Sequence, residues 1–252
     1  MDLMHLVAEL DELLEVEAVR DSCPNGLQVE GRAEVLRVVT AVSASQALFI
    51  RAIAHDADAI LVHHGILWAS PLPRPLVGTL LRRVRLLVTN NVSLLAYHLP
   101  LDRHPTLGNA AQLARRLGLV ELEPFAEHDG VSTGVCGVFS EPVALDELVG
   151  AVAAACAREP QLFAGRGDRV TSVGIVTGAA EKDYHRAVAA GLDAFITGEA
   201  TEWVLQQAAE DGVHYIAAGH YASERLGVLA LGRWLEERHG LEVEFVDLPN
   251  PV

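Results

Sequence analysis

Leu3, Leu6, Val7, Leu10, Leu13 and Leu14 recur at the three- and four-residue spacing of one helix face, so residues 3–19 are predicted to form an amphipathic helix closed by the Cys23-Pro24-Asn25-Gly26 turn. Beyond that turn the period changes. Val35 to Val42 is apolar and β-branched, Gln46 to Ala54 returns to helical spacing, and Ala59 to Val62 and Val84 to Val88 are short apolar runs of strand length. Leu94 to Tyr97, Tyr215 to Ala217 and Val243 to Val246 add further strands, while Leu145 to Ala157 and the stretch from His220 through Leu235 read as helices. Apolar strands alternating with helices predict an α/β protein with mainly parallel sheets flanked by helices.

The pattern repeats itself. Placing Val38 on Val173 without gaps sets Arg51-Ala52 on Arg186-Ala187, Ala54 on Ala189 and Asp58-Ala59 on Asp193-Ala194. Both copies read strand, helix, Asp-Ala, strand, and the second strand ends in His63-His64 in one copy and in Gly198-Glu199 in the other. Each half then carries a strand that delivers a histidine followed four residues later by a carboxylate, His98…Asp102 and His220…Glu224. We therefore expect two similar α/β domains from an internal duplication, with a boundary near residue 120. The intervening segment, about Glu121 to Arg169, is read as the helix Leu145 to Ala157 and a turn at Ala164-Gly165-Arg166-Gly167-Asp168. After the last strand, Pro249 and Pro251 forbid further helix.

Composition narrows the classes. With 252 residues, 50% of them hydrophobic and 21% charged, the chain can bury a core. Its net charge of −15 repels phosphate backbones and anionic lipid, so neither stable nucleic-acid binding nor a membrane partner is expected. Cys23, Cys136 and Cys156 are far apart and form no Cys-x-x-Cys pair, which fits a reducing cytoplasm better than a disulfide framework or thiolate zinc site. The acidic N-terminal segment is unlike an export signal, and the longest apolar run, about Leu148 to Ala157, is too short to span a bilayer.

The candidate chemistry lies at strand ends, the edge where open α/β sheets bind ligands. His63-His64 closes a buried strand and precedes Gly65, which permits the turn that would let two adjacent imidazoles serve a pair of metals. Asp102 follows His98-Leu99-Pro100-Leu101, and His220 and Glu224 share a helix face at i and i+4. Each group also admits a plain alternative: two solvated histidines in a surface loop, a carboxylate capping the helix that begins near Gly108-Asn109, and a helix cap with a solvated acid. Taken together, three imidazoles and two carboxylates form an N/O set suited to iron, manganese or zinc. Two such ions sharing a water would supply hydroxide for hydrolysis. His98 and Glu199 are positioned as candidate acid/base or supporting residues. The turn Thr177-Gly178-Ala179-Ala180 lacks the patterns of nucleotide-cofactor loops and reads as a packing turn.

Ser22-Cys23-Pro24-Asn25-Gly26-Leu27-Gln28-Val29-Glu30-Gly31, Val62-His63-His64-Gly65, Ala96 through Asp102, Phe195 through Glu199, Ala218 through Glu224 and Asp247 through Pro251 resemble, in order and over nearly the whole chain, the GTP cyclohydrolase I type II homologs of the compact bacterial YbgI type. The resemblance implies a toroidal homohexamer of two-domain α/β subunits with a dinuclear metal centre in each. His64 and Asp102 would bind one ion, His63 and His220 the other, and Glu224 would bridge them. Domains 1–120 and 121–252 would then share the site, the segment from about 215 to 252 packing back on the first to supply His220 and Glu224. The family often carries a glycine-rich turn where this chain has Gly178-Ala179-Ala180. The implied function is metal-dependent hydrolysis of a small nucleotide-like substrate, through GTP ring opening or attack on damaged nucleotides. A non-catalytic metal scaffold or metal-delivery protein is the alternative.

Overall fold

Asp2 starts the first helix, its side chain accepting from the His5 amide, and Glu15 at φ 49° ends the regular turn, so the helix covers Leu3–Leu13 and is shorter than the periodicity of residues 3–19 suggests. The computed structural model describes residues 1–70 and 75–252. Its strands are β1 (Gly26–Val29), β2 (Arg37–Ser43), β3 (Ala59–His64), β4 (Ser93–Ala96), β5 (Val120–His128), β6 (Val131–Ala144), β7 (Gln161–Phe163), β8 (Arg169–Ile175), β9 (Ala194–Thr197), β10 (His214–Ala217) and β11 (Glu242–Phe245). The helices are α1 (Leu3–Leu13), α2 (Gln46–Ala54), α3 (Gly78–Thr89), α4 (Leu99–Asp102), α5 (Asn109–Leu117), α6 (Leu145–Cys156), α7 (Tyr184–Ala189), α8 (Val204–Asp211) and α9 (His220–His239). None among the described residues is long and apolar enough to cross a membrane.

Two units form. The first comprises residues 1–101 and 228–248, the second 102–227 and 249–252. The division is therefore not at residue 120: Ala110, Leu113, Leu117 and Leu119 pack with Leu148, Val152 and Ile175 in the core of the second unit.

The first unit holds a sheet ordered β1-β4-β3-β2-β11, parallel except where β1 meets β4. Val39, Ala41, Ile60, Val62, Leu94 and Ala96 bury one face under Leu48, Phe49 and Ala52 of α2 and Leu87 of α3. Val84 to Val88, expected as a strand, lies in α3 instead. Leu80, Val84 and Leu87 are spaced for a helix face and pack on this core, and that period is invisible in a five-residue window.

The second unit holds a sheet ordered β5-β6-β8-β9-β10-β7, parallel only at β8–β9 and β9–β10. Here the expectation of a mainly parallel sheet gives way to a mixed one. Asp129 and Gly130, at φ 51° and 81°, close a two-residue hairpin between β5 and β6, the turn that a twisted antiparallel pair favours. Both faces of the parallel centre are covered. Val173, Ile175, Ile196 and Ile216 face the α5 and α6 side, and Phe195 and Tyr215 pack with Tyr184, Val204 and Ala208.

The repeated sequence has a repeated geometry. Asp58 accepts from the amides of Leu36 and Arg37 at 2.8 and 2.9 Å, and Asp193 accepts from those of Thr171 and Ser172 at the same distances. These are equivalent positions when Val38 is placed on Val173, and the registers Val38↔Ala59 and Val173↔Ala194 agree. Each aspartate thus ties the start of one strand to the start of the next, which is why Asp precedes Ala in both copies.

Candidate metal centre

In the first unit, β3 carries His63 and His64 to the carboxyl edge of the sheet. His63 is fully buried, and its Nδ1 lies 2.9 Å from the Tyr97 carbonyl oxygen. A carbonyl can only accept, so Nδ1 carries the proton and the lone pair of the ring is on Nε2. Tyr97 is itself fixed, its hydroxyl donating to Asp11 at 2.8 Å. His64 Nδ1 meets Ser43 Oγ at 2.9 Å. The third ring comes from His98, whose Nδ1 lies 3.0 and 3.1 Å from the two oxygens of Asp21. The ring centroids of His63 lie 4.7 Å from His64 and 5.0 Å from His98, and each ring has a nitrogen within 4.8 Å of the others. Such a cluster of imidazoles could hold a divalent ion.

The surrounding chain is built to keep these rings in place. Asp21 also accepts from the Cys23 and Leu99 amides and from Asn25 Nδ2. Burial works to raise its pKa, but the hydrogen bonds of His98 and Asn25 and the charge of His98 outweigh it, holding Asp21 well below the usual carboxylate range. After His64 the chain turns over Gln28, whose Oε1 accepts from Ile66 and Leu67 at 2.9 and 3.2 Å. A Cβ at Gly65 would run into that carboxamide. Trp68 then stands beside the rings, its centroid 5.2 Å from that of His98.

In the second unit, β9 and β10 deliver Glu199 and His220 to the same kind of edge. His220 Nδ1 lies 2.6 Å from Glu199 Oε1, and Nε2 lies 3.1 Å from Glu224 Oε2. Burial lowers the His220 pKa, while its hydrogen bonds and charge interactions with Glu224 and Glu199 more than reverse this and raise it to about 9. The carboxylate set therefore favours positive charge here. Gly178, at φ 72°, leaves the space that Glu224 uses: a Cβ there would collide with Oε1 and stand 3.5 Å from His220 Nε2. Asp102 is buried and accepts from Asn109 Nδ2 at 2.8 Å, while Asn109 Oδ1 accepts from the Gly227 amide at 2.6 Å. Asp102 does not cap α5, whose N-cap position is Gly108.

Glu199, expected as an acid/base or supporting residue, sits on the outer nitrogen of His220, where it orients the ring and raises its basicity. His98 is held by Asp21 in the same manner. Asp21, Asn25, Ser43, Tyr97 and Asn109 are not singled out by the sequence. Apart from Asn109 and Ser43, and from Tyr97 with His63, their site partners lie more than 70 residues away, and the available signal is only that short polar residues stand beside the ligand motifs.

The profile of the Duf34/NIF3 (NGG1p interacting factor 3) family matches residues 1–251. A Vibrio cholerae protein named GTP cyclohydrolase 1 type 2 homolog is 45% identical over 254 residues, covering 100% of both chains. Among solved structures, protein ybgI, described as of unknown function, is similar with a TM-score of 0.91 and 40% identity over 100% of both chains. TTHA1606 from Thermus thermophilus gives a TM-score of 0.91 and 37% identity, again over 100% of each.

Proposed function

This chain belongs to the Duf34/NIF3 family, and from that premise we propose that it is a divalent-metal-dependent hydrolase of a small nucleotide-like substrate, with His63, His64, Asp102, His220 and Glu224 holding two ions. The observation that carries the reading is the fixed orientation of two of these rings. His63 and His220 each present Nδ1 to a fixed oxygen, of Tyr97 and Glu199 respectively, so that each directs Nε2 away from that partner. Metal-binding histidines are supported in this way by carbonyl and carboxylate oxygens, and the donor set suits iron, manganese or zinc.

Divalent ions bound there supply Lewis acidity, making water acidic near neutral pH and stabilising negative charge that develops on oxygen. The chain's own groups do the rest. Glu199 keeps His220 in register, Asn109 orients the Asp102 carboxylate, and Tyr97 and Ser43 set the two rings at the end of β3. His98, its Nδ1 held against Asp21, is the candidate acid or base. The name borne by the curated relatives makes GTP the first substrate to try. The same reading includes a homohexamer, to be measured by light scattering.

Elemental analysis of tag-free wild type and Glu224→Ala, with circular dichroism as the folding control, tests it. About two ions per wild-type chain, a clear loss in the variant and metal-dependent turnover on a nucleotide panel are expected. Metal without turnover on that panel would favour the scaffold or delivery reading. No metal after reconstitution would overturn both.

A further inference from the structure

We propose that Arg158 is the anion-binding residue of the second unit's ligand edge and that it takes a phosphate group of the substrate. Ala157, at φ 52°, ends α6 in the left-handed conformation and turns the chain so that Arg158 follows directly. Its guanidinium lies across Gly219, the residue immediately before His220. A Cβ at Gly219 would stand 2.7 Å from Nη1, 2.8 Å from Cδ and 3.0 Å from Cζ, so the bare glycine is what admits the arginine. The Gly219 amide donates to the Gly198 carbonyl at 2.9 Å, which places this contact at the edge carrying Glu199 and His220.

The arginine lacks what a structural arginine has. Its Nη1 is closed to solvent and has no hydrogen-bond partner among the described residues, and no carboxylate among them comes within ion-pair distance of it. Other arginines find an acceptor: Arg32, Arg37, Arg186 and Arg238 pair with a carboxylate, and Arg51, Arg115 and Arg166 donate to backbone carbonyls. An arginine Nη1 that is closed to solvent and left without an acceptor is costly unless a ligand supplies one. Glu199 and Glu224 alone would repel an anionic substrate. Arg158 offers a charge that persists at all working pH values and a planar fork matching two oxygens of a phosphate. The choice of phosphate over another oxyanion rests on the nucleotide-like reading above.

The test is calorimetric titration of the full-length, metal-loaded chain with GMP and with guanosine, using wild type, Arg158→Lys and Arg158→Gln, with metal content and melting temperature measured on each sample. Wild type should bind GMP about 10- to 100-fold more tightly than guanosine, the range for hydrogen bonds to charged groups. Arg158→Gln should bring GMP to the affinity of guanosine and leave guanosine unchanged, and Arg158→Lys should fall between. The proposal is overturned if wild type does not distinguish the two, if it binds neither, or if Arg158→Gln keeps the preference or weakens both ligands equally. Loss of the metal reading is distinguishable: wild type that holds no metal after reconstitution yet still shows an Arg158-dependent preference for GMP removes that reading and retains this one.

Discussion

Replacing Glu199 by Gln removes a charge and keeps a shape. The backbone around residue 199 is held independently of the side chain, since its carbonyl accepts from the Tyr215 hydroxyl, so the substitution reports on the carboxylate alone. A glutamine carbonyl can still accept from His220 Nδ1, which preserves the tautomer, whereas the ring loses the anion that makes Nε2 a better donor. Outer partners of metal-binding histidines contribute roughly 10- to 100-fold in affinity. The Glu199 and His220 side chains are 36% and 26% exposed, and solvent screening places the loss of charge at the lower end, about 10-fold or ~1.4 kcal/mol. Glu199→Ala also frees the ring to rotate and should lose about 100-fold. Competition for Mn2+ or Zn2+ against a chromophoric chelator measures both variants beside wild type. Affinity within threefold of wild type in both would refute the claim that Glu199 acts through His220. Equal losses in the two would refute the separation of charge from tautomer.

In metal-free protein the His220 pKa is raised from 6.5 to about 9, so its interactions stabilise the fold fully below pH 6.5 and cease to do so as pH rises through 9. The melting-temperature gap between wild type and His220→Gln in EDTA should therefore narrow across that window, and a constant gap would contradict the pairing. Asp58→Ala should cost about 3 kcal/mol and Asp193→Ala about 2 kcal/mol in urea unfolding, because each loses two charge-assisted bonds to strand amides and Asp58 is the more buried; near-neutral effects would dismiss both as anchors. Gly178→Ala should lose bound metal, whereas Gly167→Ala, at a similar φ of 83° but with open space around it, should show only the ~1–2 kcal/mol of left-handed strain. Metal loss in both, or in neither, would remove the steric role of residue 178.

Strands buried on both faces are easy to read. β3 and β10 are legible nearly to their ends because continuous apolar runs leave few alternatives. β5 and β6 escape a pattern reading for the opposite reason: they are half exposed and carry Glu121, Glu123, Glu127, Gly134 and Gly137 among their apolar positions. The local signal is present in Asp129-Gly130, a two-residue turn of known preference. Part of α3 reads as a strand because Arg82 and Arg83 cut the apolar stretch down to Val84–Val88, too short to display the three- and four-residue spacing that runs from Leu80. Among the site residues, those that stand in motifs at strand ends are legible, whereas Asp21 is not, since nothing local marks an aspartate whose partner is His98. The roles of Gly178 and Gly219 are equally silent. A glycine's contribution there is an absence of atoms, which only the neighbouring Glu224 and Arg158 make visible.

The pairing of β11 with β2 bears on how the molecule is made. Until Glu242–Phe245 leaves the ribosome, the far edge of β2 has no strand to bond, although the remainder of its sheet has been synthesised by Ala96. The earliest part of the chain must therefore wait for nearly the last, with the whole of residues 102–227 emerging in between. A nascent chain in that interval exposes an apolar, β-branched edge of the kind that pairs with other chains. Truncation near residue 240 should accordingly harm the amino-terminal unit first, and a circular permutant opening in the 102–227 unit would bring β11 and β2 into the same stretch of synthesis.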